Sequence, residues 1–100
     1  MVRLSAARVA RAAPSIGVAP SAVPSPRFHV EPRALTRRDI ADLIAAFADC
    51  AAKAREGGVD GLEVSMSHGY LGAQFFSPLT NRRDDEYGIA GRLRFAREAI

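Results

Sequence analysis

Gly57-Gly58-Val59-Asp60-Gly61-Leu62-Glu63-Val64-Ser65-Met66 is where the chain changes its period. From Val59 onward apolar and polar residues alternate. Leu62, Val64 and Met66 fall on one face of an extended strand and Glu63 and Ser65 on the other, which predicts a short strand over 59–66. An apolar side of this kind packs under helices, and the polar side looks into a site. Before the two glycines, Ile40, Leu43, Ile44, Phe47, Ala51 and Ala54 recur at helical spacing. Thr36-Arg37-Arg38-Asp39 fits a capping box with aspartate in the last place, so the pattern predicts an amphipathic helix over 37–56. Gly57-Gly58 supplies the left-handed cap that stops it. A helix leading into such a strand is half of an α/β repeat, and the fold class is α/β.

Working outward, residues 67–91 show few regular signals but many chemical groups, with a short helical stretch over Leu71–Phe76. The tail from Arg92 to Ile100 reads as the start of another helix, with Leu93, Ala96 and Ile100 on one side. Upstream, residues 1–27 are rich in Ala, Ser, Pro and Arg, and Pro14, Pro20, Pro24 and Pro26 favour an irregular or extended lead-in. This acid-free, arginine-bearing start has two readings, a poorly ordered terminus or a transit-peptide-like composition. The division is an irregular segment over 1–18 and a domain segment over 19–100.

The whole chain has 100 residues and 10.7 kDa, which is one domain at most. A closed (β/α)₈ barrel needs roughly 200 to 250 residues, so a complete large enzyme is excluded. The net charge of +3 comes from the first 30 residues, which hold Arg3, Arg8, Arg11 and Arg27 and no acid, whereas residues 31–100 balance ten Lys/Arg against eleven Asp/Glu. Basic residues gathered on one face are the footprint of nucleic-acid binding, and beyond the pairs Arg37-Arg38 and Arg82-Arg83 none is evident, so no nucleic-acid partner is expected. No apolar run approaches the ~18 to 20 residues of a membrane span, and the single Cys50 excludes an internal disulfide. Cys50 lies beside the apolar helix stripe and reads as a packing residue. The expectation is a soluble, cytoplasmic chain with no membrane partner and no metal site.

Ser65, His68 and Tyr70 lie at and just beyond the C-terminal end of the expected strand, the edge at which parallel α/β folds bind ligands. An imidazole donates to an oxygen bearing negative charge, and a phenol delivers a proton where a carbanion develops. The same spacing also suits a structural histidine and a packing tyrosine, and position alone leaves both readings open.

The stretch from Asp60-Gly-Leu-Glu-Val-Ser-Met-Ser-His-Gly-Tyr-Leu-Gly-Ala-Gln-Phe-Phe-Ser-Pro through Leu-Thr-Asn-Arg-Arg-Asp-Asp-Glu-Tyr-Gly88 resembles the signature of the old yellow enzyme family. These are NADH:flavin oxidoreductases, flavoproteins built on FMN-binding (β/α)₈ TIM barrels that include 2,4-dienoyl-CoA reductases. Ala19-Pro-Ser-Ala-Val-Pro-Ser-Pro26 and Pro32-Arg-Ala-Leu-Thr36 resemble the family's preceding loop, so the likeness covers about residues 19–100. It implies a fragment of such a barrel, about one strand with flanking helices and loops. In the intact enzyme, NAD(P)H reduces FMN and the flavin passes hydride to an activated alkene or related small-molecule substrate.

Carried over by position, the family's oxygen-holding His-x-x-His or His-x-x-Asn pair falls on Ser65 and His68. His68 keeps the second place and Ser65 departs from the first, which puts a two-pronged clamp in doubt. Tyr70 falls on the tyrosine that protonates the substrate carbon opposite the hydride. The resemblance makes Asn81, Arg83, Asp85, Glu86, Tyr87 and Gly88 a bracing loop. After Gly88 the family continues Gly-Ser-x-Glu-Asn-Arg, whereas Ile89-Ala90-Gly91-Arg92 is two residues shorter and lacks the Glu-Asn that opens the next helix. Near the start, Leu4, Ser5 and Arg8 echo a flavin-side segment without its Gln or His. The FMN-phosphate arginine and glycines have no counterpart, so this chain is expected to bind no cofactor tightly. A lone strand and an uncovered helix face would favour self-association. The competing reading is a non-catalytic remnant, or a small helical interaction module acting through the Ile40–Ala54 stripe.

Overall fold

The computed structural model describes residues 2–4, 17–24 and 30–100. In chain order the elements are β1 (Val2–Leu4), β2 (Val18–Ala19), β3 (Arg33–Ala34), α1 (Arg37–Glu56), β4 (Leu62–Val64), α2 (Leu71–Phe76), a 3₁₀ turn (Ile89–Gly91) and α3 (Arg94–Ala99). The expected lead-in over residues 5–16 and 25–29 lies outside the described residues.

α1 spans the predicted residues and starts as its sequence dictates. The Asp39 amide donates to Thr36 Oγ1 at 3.0 Å, and the Thr36 amide donates to Asp39 Oδ2 at 2.8 Å, closing the capping box. Its other end is a Schellman motif in which the Gly58 amide donates to the Arg55 carbonyl and the Val59 amide to the Ala54 carbonyl, each at 3.0 Å. Gly58 takes the left-handed φ of 84° that this motif demands, and Gly57 stays at φ −76°.

The expectation of about one strand is corrected. β4 pairs in parallel with β1 in the register Val2↔Leu62, Arg3↔Glu63 and Leu4↔Val64. A second parallel pair joins β2 to β3, Val18↔Arg33 and Ala19↔Ala34. Parallel partners must come from distant sequence, and a strand of two or three residues is too short to show alternation, so composition hid them. β1 falls within the segment read as irregular. β1, α1 and β4 together form a strand, a crossover containing a helix, and a parallel strand, the unit from which barrels of the α/β class are built.

The core lies between α1 and the C-terminal elements. Ile40 and Phe47 of α1, Leu71 and Phe75 of α2, Phe95 of α3, Tyr87 and Leu35 are buried together, with Leu43, Ile44, Val64, Met66 and Ala99 packed against them. The front of the Ile40–Ala54 stripe is therefore taken up by the chain's own core and is not an open interaction face. The expected face of the last helix is also corrected. Phe95 and Ala99 point inward, while Leu93 and Ile100 are 58% and 89% exposed. The Phe95 ring stacks on Phe75 at 4.4 Å, and this aromatic contact sets the rotation of α3. No side chain caps the start of α3 at Leu93, in keeping with the absent Glu-Asn. No described helix is long and apolar enough to cross a membrane.

Candidate active site

The polar face of β4 runs through Glu63 and continues to the half-buried Ser65. Beyond the strand the chain reverses over Ser67–Tyr70, where the Tyr70 amide donates to the Ser67 carbonyl at 3.3 Å. Both central residues have positive φ, 58° at His68 and 71° at Gly69, the pattern of a type I′ turn. Gly69 suits this backbone. His68 adopts it at a cost of about 1 to 2 kcal/mol for a residue with a Cβ, so the surrounding structure must hold it there.

α2 does the holding. Tyr70 is its N-cap, with extended backbone, and the Gln74 amide donates to the Tyr70 carbonyl at 3.0 Å. The Gln74 side chain reaches back as well, its Nε2 donating to the Gly69 carbonyl at 3.1 Å. The turn is thus tied to the helix that follows it by one main-chain and one side-chain bond. Within the turn, Ser67 Oγ lies 2.7 Å from His68 Nδ1. His68 is exposed and Tyr70 half-buried, so an imidazole and a phenol stand on one short reversal just past a strand end, with Ser65 three residues before the histidine. Ser67 and Gln74 are contributors that the sequence reading did not single out. The available signal for Gln74 was its place four residues after Tyr70 on a helix.

The loop after α2 braces this arrangement. Asn81 is 1% exposed, and its Nδ2 donates to the carbonyls of Phe75 and Tyr87, each at 2.8 Å. The Arg83 guanidinium donates to Asp85, with Nε to Oδ1 at 2.9 Å, and through Nη1 to the carbonyls of Pro20, at 2.8 Å, and Leu35. Arg37 of α1 reaches Glu86 at 2.9 Å, and the Arg82 amide donates to Ser21 Oγ at 2.8 Å. The Arg83 hydrogen bonds hold the Asp85 carboxyl below the usual carboxylate range. Asp39 is lowered to about 2, chiefly by its hydrogen bond to Arg33 and then by the Thr36 amide. Burial, and then the Glu98 carboxylate to which its hydroxyl donates at 2.7 Å, push the Tyr87 phenol up. These bonds tie the loop to α1, α2 and the segment around Pro20, and they act as scaffold.

Residues 6–100 match the model of the NADH:flavin oxidoreductase / NADH oxidase family. The chain belongs to this family. It is 45% identical over 85 residues to a "metal reductase" of Desulforamulus reducens, covering 83% of this chain and 13% of that one. The same identity over 85 residues relates it to an "NADPH dehydrogenase" of Geobacillus sp., covering 83% of this chain and 25% of that protein. Among solved structures, morphinone reductase in complex with tetrahydroNAD superposes with a TM-score of 0.79 at 30% identity, over 85% of this chain and 28% of that one. The chain therefore spans between about an eighth and a quarter of the length of these first relatives. Its α/β piece coincides with part of an old yellow enzyme barrel.

The family's flavin cofactor carries a phosphate that needs a cationic clamp or a row of backbone amides. Among the described residues, Arg33, Arg37, Arg38, Arg83 and Arg94 each sit on a carboxylate, at Asp39, Glu86, Asp42, Asp85 and Glu98. The strand-end turn offers hydroxyl, imidazole and phenol groups, suited to one oxygen and one proton of a small molecule. The described residues of this strand end therefore form no clamp for a flavin phosphate, and no step below passes through it. Nor do they contain a group of three or more side chains able to hold a metal ion.

Proposed function

We propose that this chain supplies the substrate-facing strand end of an NAD(P)H-dependent oxidoreductase that reduces an activated alkene or a related acceptor. The observation that carries the reading is the Ser67–Tyr70 reversal, which sets His68 and Tyr70 on one turn just past β4 in a strand pair of the family's barrel type. The His68 imidazole donates to the acceptor's carbonyl or anionic oxygen and withdraws electrons from the conjugated double bond. The Tyr70 hydroxyl then gives its proton to the carbon on which negative charge builds, opposite the carbon that receives hydride. Ser65 offers a hydroxyl in place of a second ring. It lines the same strand end with a smaller donor, so oxygen binding rests mainly on His68.

Turnover in a complete barrel tests this. The segment is grafted over the matching 85 residues of the Geobacillus NADPH dehydrogenase, and NADPH oxidation is followed with an enone as acceptor. Tyr70→Phe is expected to lower kcat by about 10²- to 10⁴-fold, the usual contribution of a positioned general acid, with acceptor KM nearly unchanged. His68→Ala is expected to raise acceptor KM as well as slow turnover. A Tyr70→Phe graft that keeps the parent graft's rate overturns the assignment of the phenol.

A further inference from the structure

We propose that Met66 and Gly72 are a matched pair of positioning residues that set how closely Tyr70 stands to the strand end. Gly72 is buried in the first turn of α2. Glycine is the poorest helix former after proline, so its place there calls for a steric reason. The packing supplies one. A Cβ at Gly72 would overlap Met66 Sδ, and it would stand 3.0 Å from Met66 Cα and 3.3 Å from the Ser65 carbonyl oxygen. The Met66 thioether thus fills the room of a side chain at position 72, a use that suits a flexible, unbranched residue, and the bare backbone of α2 rests on the chain just past β4. Leu71 and Phe75 anchor α2 in the core, while its approach to the strand end is set where Met66 meets Gly72. Tyr70 goes with this helix, because it is the N-cap and its carbonyl accepts the Gln74 amide at 3.0 Å. The backbones of Ser65 and Tyr70 are therefore spaced by a contact that involves neither of their side chains.

The inference rests on the proposed function only for what the Tyr70 phenol does. The spacing is measurable with no acceptor present, so its failure and the failure of the enzymatic reading separate. The test uses the full chain with ¹³C-labelled tyrosine rings, where Tyr70 and Tyr87 are the two tyrosines and Tyr70→Phe identifies the Tyr70 signals. Gly72→Ala is expected to move the Tyr70 signals while those of Tyr87, bonded to Glu98, stay in place. It is also expected to lower the urea midpoint, although alanine is the better helix former. In Met66→Ala/Gly72→Ala the new methyl takes the room that the thioether leaves, so the Tyr70 signals return toward their wild-type positions and the midpoint exceeds that of either single variant. Unmoved Tyr70 signals in Gly72→Ala overturn the proposal, as does a Gly72→Ala effect of equal size with and without Met66→Ala. If Gly72→Ala does not fold, recovery of the circular dichroism spectrum in the double variant supports the pairing, and no recovery overturns it. In the Geobacillus graft, Gly72→Ala is expected to lower kcat by up to about 10²-fold, the cost of an ångström-scale misplacement, and the double variant to regain it. A graft that Tyr70→Phe slows and Gly72→Ala does not would overturn the positioning role.

Discussion

At Arg83 a single side chain ties together three stretches that are far apart in sequence. One Nη1 serves the carbonyls of Pro20 and Leu35 while Nε and Nη2 face Asp85, and the paired side chains are only 9% and 12% exposed. A planar fork can span these acceptors together, whereas a lysine ammonium is one compact charge on a flexible stem. Arg83→Lys therefore leaves at least one buried carbonyl or carboxylate oxygen without its donor, at about 1 to 3 kcal/mol per orphaned group. Urea unfolding of the chain is expected to show that loss, and Arg82→Lys next door, at an exposed side chain, to stay within about 0.5 kcal/mol of the parent. Equal effects at the two positions would refute the convergence on Arg83. The family resemblance marked this loop as a brace but did not show what it braces, because Pro20 and Leu35 stand 63 and 48 residues away. The capping box at Thr36 and Asp39 was legible for the opposite reason, since its partners are three residues apart and their chemistry is local.

At the scale of elements, α2 and α3 have six residues each, well below the length at which a helix is stable in water on its own. Packing holds them. The Phe75 ring stacks on Phe95 at 4.4 Å and meets Tyr87 edge-on at 6.4 Å, while Phe47 of α1 meets Phe95 edge-on at 6.5 Å. Phe95→Ala removes the ring shared by α1, α2 and α3, and a loss of about 3 to 5 kcal/mol is expected, enough to unfold a marginal domain. Leu93→Ala, on the exposed side, is expected to change the melting midpoint little. Comparable losses at both positions would mean that α3 packs by the face read from periodicity and not by the aromatic one. That face was misread because three apolar residues at helical spacing carry little information when the helix has fewer than two turns. α1, with twenty residues and signals at both ends, was legible to its boundaries. β4 was legible from its alternation, though only Leu62–Val64 of the expected 59–66 is strand, whereas β1, β2 and β3 were not, because pairing rather than pattern defines them.

For the whole molecule, the question is how much of a flavin enzyme 100 residues can constitute. The described strands form two separate parallel pairs, β1 with β4 and β2 with β3, and isolated two-stranded ladders are marginal in water. A closed barrel supplies the missing neighbours and encloses the strand ends, so that a cofactor is gripped from several βα loops at once. Here one such end is present, with its turn, and Arg33, Arg37, Arg83 and Arg94 are committed to carboxylates. The strand end can be well formed while the cofactor grip is absent, and the two separate experimentally. FMN titrated into the purified chain is expected to leave the flavin's visible spectrum and fluorescence unchanged and to pass freely through dialysis, while far-UV circular dichroism still reports α1. The graft into the Geobacillus barrel is expected to retain flavin through the same dialysis. A stoichiometric yellow complex of the chain alone would place a phosphate clamp within these 100 residues. Residues 5–16 and 25–29 would then be the first place to look, because they hold the basic residues Arg8, Arg11, Arg27 and His29 outside the described structure.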